Sequence, residues 1–388
     1  DSENCSKLQC SKMKKRYVIS VLAVLTVTTG LGQGARRYIA AAYGSGFLVA
    51  HRSSMRHLIQ GHSSTFELSY LSEPTGVSHL STNYTKPVNG LSFLYLNTGN
   101  PKQIGHCFGL YPNIRFKLGL GKFAPRLKFG GGIGYVQKPF DQVTNNKNVT
   151  IGTHINSIIN VAIEGEVSIK LQFIKYGIAI THFSNASFNS PNLGINIPTV
   201  YVGFAVGNPA NEKLEIPNHT NYTNDKSLFI RAHEVFLFGG ARQVSLHHPK
   251  KYLVGSLGFQ YLHQFSPKFA WCSGIDVFAN PSLLAATESG SNPNLMSLQI
   301  GGFGGLELKF NDNSVFLQQG VYLLSEYKEN GPLYQKIGYR KRFAKTGIVA
   351  SFGIKTHFGI AEYMELGIGY RFIQNTKKDK NGKQDESM

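Results

Sequence analysis

Several long segments of the chain alternate apolar and polar residues with a period of two. In the segment 363–372, one parity is apolar and the other carries charge and glycine. The apolar parity consists of Met364, Leu366, Ile368, Tyr370 and Phe372. This period predicts β-strands whose two faces meet different environments. An apolar face opposite a polar face is typical of a membrane barrel, in which one side meets lipid and the other lines the lumen.

Comparable segments recur between residues 40 and 372, and stretches rich in Asn, Pro and Gly separate them, among them 145–148, 208–224 and 281–293. Beyond residue 30 no apolar run reaches the roughly 18 residues that a membrane-spanning helix needs. The sequence therefore predicts an all-β fold, a transmembrane antiparallel up-and-down β-barrel of about 14 strands, with 12–16 allowed. A soluble β-sandwich is the alternative, and the long strands and the N-terminal export signal favour the barrel.

The N-terminal region predicts export. After Met13 come three basic residues, an apolar core from Tyr17 to about Thr28, and small residues up to Ala35. This arrangement is typical of a signal peptide, which we assign to residues 13–35, and an uncleaved anchor is disfavoured because the core is short. Residues 1–12 are interpreted as an upstream extension without a function. We expect an exported protein without a lipid anchor.

The charge and cysteine content narrows the possible partners. The chain has 40 Lys and Arg against 22 Asp and Glu, a formal charge of +18, which favours polyanions such as lipopolysaccharide. The basic residues are scattered instead of forming a dense patch with aromatics, so nucleic acid is not an expected partner. After processing, Cys107 and Cys272 remain, and they are either unpaired on strands or joined in one disulfide.

The most informative stretch runs from Tyr176 to Phe204. Residues two apart on a strand point the same way, so Ile178, Ile180, His182 and Ser184 share a face. If the isoleucines face lipid, His182 and Ser184 lie outside the barrel near the membrane interface. A histidine base beside a serine is the arrangement that activates a hydroxyl nucleophile. The alternative is that both belong to an interfacial polar girdle.

A serine–histidine pair needs a third group to hold the imidazole. No Asp or Glu lies between Glu166 and Glu212, so the local candidate is Asn196, whose amide oxygen can accept from His182. Asn185 and Asn192, with loop backbone amides, are candidate oxyanion donors. The set implies neither a metal nor a cofactor.

The same stretch, with THFSNASF followed by PNLGINIP, resembles the lipid A 3-O-deacylase (PagL-like) or acyloxyacyl hydrolase family, particularly its versions from Bacteroidetes. Further blocks between residues 40 and 206 support the resemblance. It implies that 36–206 is the deacylase-like part and 207–372 an addition of further strands, within a barrel spanning 36–372 that a hydrophilic tail, 373–388, follows.

The resemblance also implies roles for residues. The family's His-x-Ser-Asn motif corresponds to His182, Ser184 and Asn185, and its third member is a Glu where this chain has Asn196. The implied reaction removes an ester-linked 3-hydroxyacyl chain from lipid A of lipopolysaccharide in the outer membrane. An outer-membrane phospholipase A and a non-catalytic porin or transport barrel stay open as alternatives.

Overall fold

The computed structural model describes residues 35–74, 87–119, 124–169, 172–207, 230–286, 296–326 and 330–374. The extension 1–12, the signal peptide apart from Ala35, and the tail beyond Gln374 lie outside the described residues. Within them the chain forms sixteen strands, which close into two antiparallel barrels of eight. No helix in this part of the chain has the length and apolar character needed to cross a membrane.

The first barrel contains the strands up to residue 207. Their bounds are β1 (Ala35–Gly46), β2 (Ser63–Pro74), β3 (Val88–Asn97), β4 (His106–Lys117), β5 (Arg126–Val136), β6 (Ile155–Ile169), β7 (Gln172–Ser184) and β8 (Ile195–Gly207). Each strand pairs with the next, and β1 also pairs with β8, which closes the sheet. A short 3₁₀ helix, Ser53–Leu58, lies between β1 and β2.

The second barrel contains the strands from residue 231 onward. Their bounds are β9 (Arg231–Ser245), β10 (His248–Gln264), β11 (Phe269–Ala279), β12 (Leu298–Phe310), β13 (Asn313–Leu324), β14 (Leu333–Phe343), β15 (Ile348–His357) and β16 (Ile360–Gln374). Here β16 pairs with β9 to close the sheet. A second 3₁₀ helix, Pro281–Ala286, follows β11. By contacts, the segment Ala186–Asn192 groups with this unit.

The all-β barrel class is confirmed, and the strand total lies within the predicted 12–16. The closure differs from the single barrel of about 14 strands that the sequence predicted, because the strands divide into two barrels of eight. Alternation fixes which face of each strand is apolar, but it does not specify which distant strand closes the sheet.

The outer faces are apolar and the interiors are charged, as the alternation predicted. On β16, Ile368 and Phe372 are 58% and 53% exposed, while Glu365 and Arg371 on the other parity are buried. An eight-stranded barrel is just wide enough for side chains to fill its interior. The polar parity therefore forms a packed core.

Ion pairs fill the interior of the first barrel. Arg115 Nε donates to Glu164 Oε1 at 2.9 Å, and Lys175 Nζ lies 3.1 Å from the same oxygen. Lys128 Nζ lies 2.6 Å from Glu67 Oε1. Because each of these buried charges faces an opposite one, part of the desolvation cost of burial is offset.

The second barrel has a similar interior. Lys336 Nζ lies 3.0 Å from Glu365 Oε1, and Lys355 Nζ lies 2.8 Å from Glu362 Oε2. Arg242 also contacts Glu362, at 3.1 Å. Cys107 on β4 and Cys272 on β11 are both buried and unpaired, so no disulfide joins them.

One end of the first barrel carries its two longest connections, 47–62 and 137–154, together with 98–105 and 185–194. We call this the loop end. Apolar side chains from these connections and from the adjoining strand ends form one buried cluster, which includes Leu48, Leu58, Ile104, Ile151 and Phe183. The loop end is therefore a packed structure that can hold side chains in fixed positions.

Polar contacts also organise the connection 137–154. The backbone amide and hydroxyl of Thr144 and the amide of Val143 donate to the Asp141 carboxylate, and these bonds hold the pKa of Asp141 below its usual range. Asn148 Nδ2 donates to the Lys138 carbonyl oxygen at 2.7 Å. These hydrogen bonds hold the connection 137–154 in a fixed conformation.

Candidate active site

Strand β7 ends at the loop end, and its last residues include the predicted His182 and Ser184. Ile178 and Ile180 are 58% and 46% exposed, on the outer face, whereas Thr181 and Phe183 of the opposite parity are buried. His182 continues the outer parity at the end of the strand and is half-buried. The alternation in the sequence corresponds to an exposed apolar face and a packed interior face of this strand.

Asn196 is the direct partner of His182. The two residues lie opposite each other in the β7–β8 register, and His182 Nδ1 donates to Asn196 Oδ1 at 2.6 Å. An amide oxygen only accepts, so the proton of the neutral ring is on Nδ1. The other nitrogen, Nε2, therefore carries a lone pair and can act as a base.

Ser184 is the last residue of β7. It shares the parity of His182, and the two Cα atoms of such a pair are about 6.6 Å apart along a strand. Across the sheet it lies opposite Ser157 of β6, and its side chain is only 6% exposed. A hydroxyl that is sheltered from bulk water, two residues from a histidine on the same strand face, is a candidate for activation as a nucleophile.

A third polar side chain at the site, His51, was missed by the sequence analysis. Asn196 Nδ2 donates to His51 Nδ1 at 3.3 Å, so Asn196 bridges two histidines. His51 lies 145 positions from Asn196 in the sequence, so no local pattern connects the two residues. Only the closure of β1 onto β8 brings it beside Asn196.

Gly194 shapes the pocket around the imidazole. Its φ of +81° lies in the left-handed region, and its amide donates to the Thr150 carbonyl oxygen at 2.8 Å. A Cβ at this position would lie 2.8 Å from His182 Cε1. The glycine is therefore required both by the backbone conformation and by the proximity of the ring.

The two candidate oxyanion donors are placed differently. Asn185 is buried beside Ser184, and its side-chain Nδ2 donates to Thr153 Oγ1 at 3.1 Å. Asn192 is half-buried in the segment that groups with the second unit. The backbone between them is unusual, because Ala186 and Ser187 have φ values of 50° and 60°.

The interior of the first barrel is separate from these residues. A small cavity there is lined by Glu67, Arg115, Glu164 and Tyr201 among others, but not by His182 or Ser184. Across the described ranges, no three His, Cys, Asp or Glu side chains are grouped so that they would hold a metal ion.

Two family models match the chain. The model described as lipid A 3-O-deacylase (PagL) matches residues 64–205, and the one described as acyloxyacyl hydrolase, C-terminal domain, matches residues 231–375. The first match spans β2 to β8 with His182, Ser184 and Asn196, and the second spans β9 to β16. Together the two matches account for most of the chain. No curated protein matches it.

Among solved structures, two engineered variants of the Rhodopseudomonas blastica porin are matched. Both share 10% sequence identity, with 87% of this chain and 100% of the porin covered, and the TM-scores are 0.19 and 0.20.

Proposed function

The chain belongs to the lipid A 3-O-deacylase (PagL) family and is a hydrolase of lipid A esters, and from this premise we propose a Ser/His mechanism at the loop end of the first barrel. Ser184 is the nucleophile, His182 the general base and acid, and Asn196 the residue that orients His182. The bond removed is the ester that links a 3-hydroxyacyl chain to lipid A. The enzyme acts in the outer membrane, on lipopolysaccharide of the outer leaflet.

One observation carries this proposal, namely the hydrogen bond from His182 Nδ1 to Asn196 Oδ1 at 2.6 Å. It holds the ring in the tautomer in which Nε2 is unprotonated, which is the state a general base needs. Ser184 follows on the same face of β7, so one strand supplies both reacting groups and the neighbouring strand supplies their support.

The reaction follows from these positions. Ser184 Oγ attacks the acyl carbonyl carbon while His182 Nε2 takes its proton. The tetrahedral intermediate collapses, the protonated His182 returns the proton to the departing sugar oxygen, and an acyl-enzyme remains. Water then attacks the acyl carbon with His182 again as base, which releases the 3-hydroxy fatty acid and restores Ser184.

The outer faces of β7 and β8 next to the site are suited to bind an acyl chain. Ile178, Tyr176, Val200 and Val202 are half or more exposed on β7 and β8, and they lie in the rows that lead up to His182 and Asn196. Exposed apolar rows on a closed barrel are where lipid tails pack. The longest loops of outer-membrane barrels face the outside, which supports an outer-leaflet substrate.

Asn196 supplies weaker support than a carboxylate would. A neutral amide holds the tautomer but does not stabilise the imidazolium that forms in the transition state by charge. We therefore expect a slower enzyme than relatives with Glu at this position, with the same order of steps.

The test is mass spectrometry of lipid A after incubation of the refolded full chain with purified lipopolysaccharide. We expect loss of one 3-hydroxyacyl mass, and Ser184→Ala to lower the rate by at least roughly 10³-fold. Ser190→Ala, which removes another serine of the adjoining loop, serves as the matched control and should retain activity. Unchanged lipid A with every protein would contradict the proposal.

The same triad would serve a phospholipase A, so phospholipid is included as a competing substrate. Release of lysophospholipid in preference to deacylated lipid A would replace the proposed substrate. A porin is disfavoured, because buried charges such as Arg115 and Lys336 fill the two barrel interiors.

A further inference from the structure

We propose that His51 is a positioning residue, which fixes the orientation of the Asn196 amide and thereby the tautomer of His182. This inference rests on the proposed function of the site. It concerns a residue that lies 145 positions from Asn196 in the sequence and outside the matched range 64–205.

The fold brings His51 to the site through the end of β1. The β1–β8 pairing ends at Gly46 and Thr199, and the contact continues because the Val49 amide donates to the Asn196 carbonyl oxygen at 2.9 Å. The backbone is thus anchored to Asn196 itself, two residues before His51. Leu48, on the other side of this anchor, is buried in the core of the loop end. His51 itself is exposed, and the path of the chain into it is set by these two residues just before it.

An amide at this position needs a partner that fixes its orientation, whereas a carboxylate does not. A carboxylate offers two equivalent oxygens to the imidazole, but an amide has one accepting and one donating end. If Asn196 rotated by half a turn, its NH₂ group would face His182 and would favour a proton on Nε2. His182 Nε2 would then carry the proton and could not act as the base.

His51 prevents this rotation by accepting from the amide nitrogen. The contact from Asn196 Nδ2 to His51 Nδ1 at 3.3 Å leaves Oδ1 directed at His182, at 2.6 Å. As an acceptor at Nδ1, neutral His51 carries its own proton on Nε2. His182 and His51 thus bind opposite ends of the Asn196 amide. The contact with His51 therefore determines which end of the amide faces His182.

The first part of the test compares single variants of the full chain with purified lipopolysaccharide as substrate. His51→Ala should lower kcat by roughly 10- to 100-fold, below the roughly 10⁴-fold loss that a fixed wrong tautomer causes. KM should change less than about twofold, because His51 acts through Asn196 and not on the substrate. His51→Asn keeps an acceptor near the position of Nδ1 and should recover most of the rate.

The matched control is His57→Ala. His57 lies in the same connection, and its ring bonds to the Lys147 carbonyl oxygen instead of to the site. This variant should keep the wild-type rate. An equal loss in His57→Ala and His51→Ala would mean that the connection as a whole matters, and it would overturn the inference.

The second part uses Asn196→Asp, which places two equivalent oxygens where the amide was. In this background, His51→Ala should change kcat by less than about threefold, because no amide orientation remains to be fixed. The same loss in both backgrounds would overturn the inference. Circular dichroism and the heat-dependent gel mobility of the barrels verify that each variant is folded.

The outcomes separate the two proposals. A wild-type protein that leaves lipid A unchanged overturns the proposed function and this inference with it. A wild type that depends on Ser184 but not on His51 overturns this inference alone.

Discussion

At the scale of single residues, the proposed mechanism depends on how the Asn196 amide and the His182 imidazole are held. The resemblance implies a Glu in the family at the position of Asn196, so in the proposed mechanism a hydrogen bond takes the place of charge in fixing His182. Geometry is demanding, since a hydrogen bond weakens steeply when its angle departs from linearity. Residues that contact the His182 ring should therefore matter for rate even though they have no chemical role.

Gly194→Ala tests this expectation. The substitution places a methyl group against His182 Cε1 and requires a left-handed φ, which costs an L-residue about 1–2 kcal/mol. We expect a loss of unfolding free energy of about that size and a fall in kcat of at least roughly tenfold, because a small misplacement of a catalytic group is costly. Stability is measured by urea titration and kcat by lipid A deacylation.

Gly359→Ala is the control for backbone strain. Gly359 has φ of +85°, and no atom lies within 4 Å of the position its Cβ would take. It should lose similar stability and keep full activity. Equal activity in the two variants would show that the position of the His182 ring is not limiting.

At the scale of strands, the sequence was informative because one strand contains a complete local pattern. The parity of β7 is readable from Ile178 to Ser184, and Asn196 followed as the local polar candidate on the next strand. His51 and Gly194 were not identified, since their relation to His182 depends on the closure of β1 onto β8 and on the path of a connection. Neither the closure of a sheet nor the path of a connection leaves a periodic pattern in the sequence.

The proposed membrane position predicts a depth-dependent cost along these strands. Ile178 is the middle residue of β7 and faces outward, so Ile178→Arg should cost about 2–4 kcal/mol of folding free energy in phospholipid vesicles. Ile155→Arg, at the loop end of β6 and 64% exposed, should cost about 0–1 kcal/mol. Both values come from urea titrations. Small, equal costs would mean that water, not lipid, surrounds this face.

At the scale of the whole molecule, the class of fold was predictable and its division was not. The same local rule applies in both barrels, with apolar side chains outside and charges such as Glu164 or Glu365 inside. One barrel of sixteen strands and two of eight satisfy that rule equally. The choice depends on the pairing of β1 with β8 and of β9 with β16, contacts between residues more than a hundred positions apart.

Of the many serines in the chain, the proposed mechanism uses one, Ser184, as the nucleophile. The most direct measurement is peptide mapping of the full-length protein after reaction with a long-chain alkyl fluorophosphonate. The serine oxygen attacks phosphorus, fluoride leaves, and the phosphonate adduct remains on the nucleophile. We predict one adduct, assigned by fragmentation to Ser184 and lost in Ser184→Ala and His182→Ala. An adduct on Ser187 or Ser190, or none on any serine, would contradict the account.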